Sequence, residues 1–173
     1  MAGETLQGMK VAILVTDGFE QVELTEPRKA LDQAGAETHV VSPKGDEVRG
    51  WNFTDWGQSL PVDLKLDDAR PQDFDALLLP GGVINPDKLR MIPAAVQFVK
   101  AFFDAGKPVA AICHGPWMIV EADKARGRRI PPGPRSGPIC GTPERKWSIR
   151  KRSSTAIWSP AGNPMTSRPS AAR

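Results

Sequence analysis

The stretch Val109-Ala-Ala-Ile-Cys-His-Gly-Pro-Trp117 decides the reading of this chain. Its apolar run reads as a buried strand that stops abruptly at Cys113. His114 and Gly115 turn the chain, and Trp117–Ala122 is compatible with a helix. A cysteine on a tight strand-to-helix turn is held in strained backbone, clear of its neighbours, as in a nucleophile elbow with Cys in place of Ser. It also sits near a helix N-terminus, where partial positive charge is expected to favour the thiolate. The pattern fits equally well a small buried Cys that ends a parallel strand, with His114 a spectator.

Outward from this stretch the chain alternates strands and helices. Pro93–Ala105 precedes it as an amphipathic helix, with Val96, Val99, Phe102 and Phe103 expected on the buried side and Gly106 ending it. Phe74–Leu79 is a strand that runs into the turn Pro80-Gly81-Gly82, where backbone can approach a site closely. Asn85-Pro86-Asp87 can cap a short helix. Near the start, Lys10–Val15 reads as a central strand buried on both faces. Gln21–Ala34 follows as a helix with Val22, Ala30, Leu31 and Ala34 on one stripe, Gly35 as its C-cap and Pro27 inside it. Thr38–Val41 is the next strand. Strand, helix, strand at this spacing is a βαβ unit, so the sheet is expected to be parallel. Val48–Leu64 is irregular and reads as a hairpin followed by a small strand near Val62, with Trp51 and Trp56 as packing or interface residues. No internal repeat is visible.

The 173 residues suit one domain with a real core. No run is long enough to span a membrane, and Met1–Gly8 carries no apolar signal segment. Two cysteines, Cys113 and Cys140, in dissimilar surroundings make no disulfide framework, so a reducing cytoplasm is expected. The basic balance is uneven: eight basic residues and one acidic residue fall from Pro131 onward, leaving fifteen basic against nineteen acidic before it. Any nucleic-acid role would rest on the tail alone, and none with sequence specificity is expected.

In an open parallel sheet, sites gather beyond the carboxyl ends of the strands. Asp17, Gly18, Glu20 and Glu23 follow the first strand, Gly81 and Gly82 the third, and Cys113 and His114 the fourth. A carboxylic acid could hydrogen-bond the thiol. The N–H groups of Gly82 and His114 could form an oxyanion hole, and His114 could act as general base or acid. The plainer alternatives are a solvated first helical turn for Glu20 and Glu23, a tight turn for Gly81-Gly82, and a strand residue for His39. His and Cys spacing gives no metal site, and no cofactor is expected.

Three segments, Val11–Leu24 (Val-Ala-Ile-Leu-Val-Thr-Asp-Gly-Phe-Glu-Gln-Val-Glu-Leu), Leu79–Arg90 (Leu-Pro-Gly-Gly-Val-Ile-Asn-Pro-Asp-Lys-Leu-Arg) and Ala111–Trp117, together resemble the ThiJ/PfpI family of the class I glutamine amidotransferase-like superfamily. The likeness is to its bacterial intracellular-protease and general-stress branch. The resemblance implies an α/β fold, a flavodoxin-like three-layer sandwich with a mainly parallel sheet, and a homodimer or larger assembly. It implies that Cys113 is the reactive nucleophile, that Glu23 hydrogen-bonds it, and that Gly82 lies on the oxyanion side. His114 would join a triad whose acid comes from a neighbouring subunit; Asp87 lies near where that acid falls in some relatives. The implied activities are peptidase, protein or nucleotide deglycase and cofactor-free glyoxalase, so the expected substrate is an aldehyde-modified small molecule or a peptide. Two other readings stand beside hydrolysis: a redox-sensing or chaperone-like stress protein without turnover, and an inactive product of a damaged gene. Amidotransferase chemistry is disfavoured, because His39 and His114 are the only histidines.

The resemblance covers residues 1–129 as an incomplete domain. From 130 to 173 the chain is basic and rich in Pro, Gly and Ser, without helical or strand period, and is expected to be disordered. Read one base out of register, this tail can encode a string resembling the ending the family carries. Trp147-Ser148 permits Val and Met165-Thr166 forces Asp in that frame. A shifted reading frame is therefore expected, with a natural low-complexity tail as the alternative. On this reading the C-terminal strands and helix of the family are missing, and apolar face and strand edge would be left uncovered.

Overall fold

A computed structural model describes residues 6–126 and the backbone of 155–158. Five parallel strands form the sheet: β1 (Lys10–Leu14), β2 (Glu37–Ser42), β5 (Leu64–Lys65), β6 (Ala76–Leu79) and β7 (Val109–Ile112). A sixth strand, β8 (Thr155–Trp158), pairs antiparallel with β7, giving the order β5-β2-β1-β6-β7-β8. Between β2 and β5 the chain makes an antiparallel hairpin of β3 (Glu47–Asn52) and β4 (Asp55–Pro61). The helices are α1 (Gln21–Gln33), α2 (Ile84–Leu89), α3 (Pro93–Asp104) and α4 (Pro116–Glu121), with one 3-10 turn at Pro71–Asp73. Among the described residues no helix is long and apolar enough to cross a membrane.

The continuous apolar strands are explained by burial on both faces. In β1, Ala12 and Leu14 face one core with Leu77, Leu79, Val109 and Ala111. Val11, Ile13 and Val15 face the other with Leu78 and Ile112. The first core is covered by α2, α3 and α4 through Leu89, Phe98, Val99, Phe102, Met118 and Ile119. The second is covered by α1 and the hairpin through Leu24, Val48 and Phe19. The result is the expected three-layer α/β sandwich of flavodoxin-like type.

Several local expectations need correction. The buried residue of α1 is Leu24, with Leu31 partly buried, whereas Val22 and Ala30 are exposed. The helix is rotated so that Leu24 enters the core and Glu23 reaches the carboxyl ends of the strands. In α3, Ala95 and Phe98 join Val99 and Phe102 in the core, and Val96 and Phe103 pack at its margin. Asn85 does not cap α2; Val83 holds that position, and Asn85 is fully buried inside the helix. Thr155–Trp158 forms a strand where the sequence pattern predicts none. Its pairing with β7 gives that strand's outer edge a hydrogen-bonding partner. The expected disorder of the remaining tail lies outside the described residues.

Lys107 fastens the end of α3 to the 3-10 turn. Its Nζ donates to the carbonyl oxygens of Pro71 (2.9 Å), Gln72 (3.3 Å) and Phe74 (2.5 Å) and lies 5.7 Å from the Phe102 ring centre. Lys107→Met would strip the ammonium from three carbonyls, and should cost about 1–3 kcal/mol. A urea titration should show a lower midpoint at unchanged slope.

Candidate active site

Three loops meet beyond the carboxyl ends of β1, β6 and β7. The elbow after β7 places Cys113 at φ +54°, in the left-handed region, where a non-glycine residue is strained by about 1–2 kcal/mol. The turn closes with Gly115 N–H donating to the Ile112 carbonyl at 2.8 Å, and α4 starts at once with Pro116. Strand, strained cysteine and helix therefore follow one another as the sequence implied.

Around the sulfur stand the groups picked out in the sequence. His114 Nδ1 lies 3.1 Å from Cys113 Sγ. Burial holds the His114 imidazole below its usual value, so the ring is neutral near pH 7 and can accept a proton. Its ring packs edge-on against Trp117, with centres 5.1 Å apart. Glu23, at the start of α1, is half-buried, and its Oε2 accepts the Gly81 N–H at 2.8 Å. Glu23 also hydrogen-bonds Cys113 and accepts from the Gly82 N–H. The backbone N–H groups of His114 and Gly82 favour the charged form of the cysteine.

The electrostatics correct one expectation. Burial pushes the Cys113 thiol up to about 11, and the charge and hydrogen bond of Glu23 add to this. The N–H groups of His114 and Gly82 pull the other way with smaller effect. The short α4 does not deliver the thiolate that its N-terminus suggested, because desolvation and a neighbouring carboxylate outweigh it. Burial also raises the Glu23 carboxyl, with the nearby Glu20 charge adding to it, against the N–H groups that stabilise the anion. Two acids in contact cannot both ionise cheaply, so Glu23 and Cys113 each disfavour the other's charged form.

The Pro80-Gly81-Gly82 turn permits this approach. A Cβ on Gly81 would lie 2.7 Å from Glu23 Oε2, His114 N and Ile112 O. Gly82 adopts φ +72°, and a Cβ there would meet Gly18 O at 2.5 Å. Both positions need glycine, Gly81 for space and Gly82 for space and conformation.

Other candidates are placed elsewhere in the constellation. Glu20 precedes α1, pairs with Trp51 as an isolated bridge, and its Oε1 accepts the Phe53 N–H at 3.3 Å. Asp17 accepts from Lys44 Nζ at 2.9 Å and from Arg49 N–H at 2.8 Å, tying the loop after β1 to the hairpin. Asp87 is bound by Arg90 Nε at 2.8 Å. The Arg90 guanidinium also lies 6.0 Å from the Trp117 ring centre. His39 sits on β2 with its ring edge against Phe74, 5.7 Å between centres. Trp51 and Trp56 pack edge-on across the hairpin at 5.4 Å. Two features of the site stand outside the sequence expectations, Gly81 as a donor to Glu23 and the buried side chain of Asn85. The only sequence signal for the second was an Asn in the first turn after a glycine loop.

General stress protein 18 of Bacillus subtilis is 46% identical over 123 residues, covering 70% of this chain and 69% of that protein. Protein/nucleic acid deglycase 2 of Escherichia coli is 42% identical over 122 residues, again 70% of this chain and 69% of that protein. Among solved structures, a two-domain protein of Anabaena variabilis with DJ-1/ThiJ/PfpI-like and ferritin-like domains superposes with a TM-score of 0.64 at 37% identity. That match covers 69% of this chain and 35% of the other. The profile of the DJ-1/PfpI family matches residues 9–135. With the elbow, the glycine turn and the carboxylate brought together as described, the chain belongs to the DJ-1/PfpI family.

Proposed function

We propose that the protein is a cysteine-dependent hydrolase of the stress-response type, acting on an aldehyde-modified small molecule or protein side chain or on a peptide. The observation that carries this reading is Cys113 Sγ, 3.1 Å from His114 Nδ1 on a strained elbow, with the Glu23 carboxyl hydrogen-bonded to the cysteine. A thiol near 11 is ionised in roughly one molecule in 10⁴ at pH 7. Attack therefore needs a base at hand rather than a preformed thiolate. Neutral His114 takes the Sγ proton at Nδ1 as sulfur bonds to the carbonyl carbon. The carbonyl electron pair moves to oxygen, where the N–H groups of Gly82 and His114 meet the charge. Where that carbonyl is a peptide's, collapse expels the amine, which takes the proton from His114, and water then cleaves the thioester and restores the thiol.

The assay is turnover of methylglyoxal-modified amino acids against unmodified peptides, by release of free amine. Release from the adducts alone makes the protein a deglycase, and release from peptides alone makes it a peptidase. Release from neither, by the full chain in the folded state, would contradict the hydrolase reading. In this reading the protein works as a homodimer or larger assembly in the cytoplasm, and sedimentation reads the assembly state directly.

We also propose that residues 1–129 form the family domain and that 130–173 are translated out of frame. The family match ends at residue 135, while the alignments leave about a third of each relative's length unmatched. The codons from Arg129 onward test this. A one-base shift should restore the family-like string, and codons that cannot encode it would refute the idea.

A further inference from the structure

Asn85 is a fully buried polar side chain at the back of the site, with a relative exposure of 0%. Its Oδ1 accepts the Thr16 N–H at 2.8 Å. Its Nδ2 donates to the carbonyls of Pro80 at 2.9 Å and Gly81 at 3.2 Å. One planar amide thus joins the first residues after β1 to the turn after β6. Thr16 leads into the loop that begins α1 and carries Glu23. Pro80 and Gly81 set the plane of the peptide groups whose N–H groups, at Gly81 and Gly82, meet Glu23 and Cys113.

All of the amide's hydrogen bonds go to backbone, and all lie inside the protein. A buried amide with this many backbone partners over-determines the loop it holds. No apolar residue could replace it without leaving the Thr16 N–H and two carbonyls with one partner fewer. Asp, its isostere, can accept from Thr16 but presents a carboxylate oxygen to two carbonyl oxygens. Ser keeps a polar atom but is too short to span both loops.

We propose that Asn85 is a positioning residue for the Cys113 centre: by clamping the Pro80–Gly82 turn to the end of β1, it fixes the two glycine N–H groups and Glu23 against the thiol. This rests on the hydrolase reading above. It assigns a role in that site to a residue that touches neither substrate nor sulfur. Donors set by such a clamp need placement to within about 0.5 Å, and a misplacement of about 1 Å can cost on the order of 10²-fold in rate.

The test uses the full chain carrying Cys140→Ser, so that Cys113 alone reports. Asn85→Asp and Asn85→Ser are compared with the parent and with Lys107→Met, a destabilised control remote from the amide clamp. Three readouts are taken: circular dichroism for folding, kcat and KM on whichever substrate class is turned over, and the pH dependence of iodoacetamide alkylation of Cys113. The expected result for folded Asn85→Asp is a fall of about 10- to 100-fold in kcat with KM within about twofold. Its alkylation midpoint moves away from that of the parent. Asn85→Ser changes in the same direction by less, and Lys107→Met keeps the parent's midpoint and kcat. If Asn85→Asp does not fold, Asn85→Ser decides alone. A folded Asn85→Ser or Asn85→Asp with parental kcat and midpoint would overturn the proposal, as would a Lys107→Met control that shifts both equally. Failure of the hydrolase reading is distinguishable: the parent would then release amine from neither substrate class, or Cys113→Ser would retain turnover, whatever the Asn85 variants do to the alkylation profile.

Discussion

Cys113→Ser should lose activity by on the order of 10³-fold or more in kcat/KM while remaining folded. The hydroxyl is close to the thiol in size, so the elbow and its φ of +54° are kept. What is lost is nucleophilicity. An alcohol ionises far less readily than a thiol, and the neighbouring Glu23 and half-buried surroundings penalise its anion as they do the thiolate. His114, held neutral by burial, would need to remove a proton from a much weaker acid. Steady-state kinetics on the productive substrate class checks this, with thermal melting to confirm the fold. Turnover within about threefold of wild type would take Cys113 out of the mechanism.

Gly81→Ala should damage the site and the fold together. The added methyl would sit 2.7 Å from Glu23 Oε2, His114 N and Ile112 O. The carboxylate can swing aside, but the other two atoms are backbone of β7 and its elbow. Relief requires the β6 turn and the β7 turn to separate, against packing anchored by Leu79 and Ile112 in opposite cores. Overpacking of this kind costs about 1–3 kcal/mol. The displaced Glu23 also loses the Gly81 N–H, so a loss of roughly 10²-fold in kcat is expected beyond the stability effect. Chemical denaturation and kinetics on the same preparation separate the two. A variant equal to wild type in both would show that the turn is looser than its geometry implies.

The sheet was legible because its strands are buried on both faces, and such strands show as unbroken apolar runs at β1, β6 and β7. The elbow was legible for a related reason, an apolar run cut short by Cys-His-Gly-Pro. The face of α1 was misread because Glu23, a polar residue, belongs on the inward side and breaks the apolar stripe that periodicity looks for. Asn85 was misread as a cap because a side chain that bonds two loops distant in sequence leaves no local pattern. The thiol's acidity was misjudged in direction. Desolvation and the carboxylate of α1 are tertiary facts, whereas the helix N-terminus is the only one of these influences that the local sequence displays. The β8 pairing was invisible for the same reason, since Thr155–Trp158 is short and isolated among Pro, Ser and Arg.

Glu23→Gln isolates the effect of the Glu23 charge on the Cys113 thiol. Gln resembles the protonated acid in shape, keeps an acceptor for the Gly81 N–H and carries no charge. A carboxyl raised in the fold contributes its full stability below its unfolded value and loses it as pH rises through the folded value. Glu23→Gln should therefore be the more stable protein near pH 7, with the difference closing in acid. The most direct measurement is the rate of Cys113 alkylation against pH, in a Cys140→Ser background, with and without Glu23→Gln. The wild-type midpoint should lie above that of an ordinary thiol and fall in Glu23→Gln, with faster alkylation at neutral pH. Superimposable profiles would contradict this, because Glu23 and Cys113 would then ionise independently.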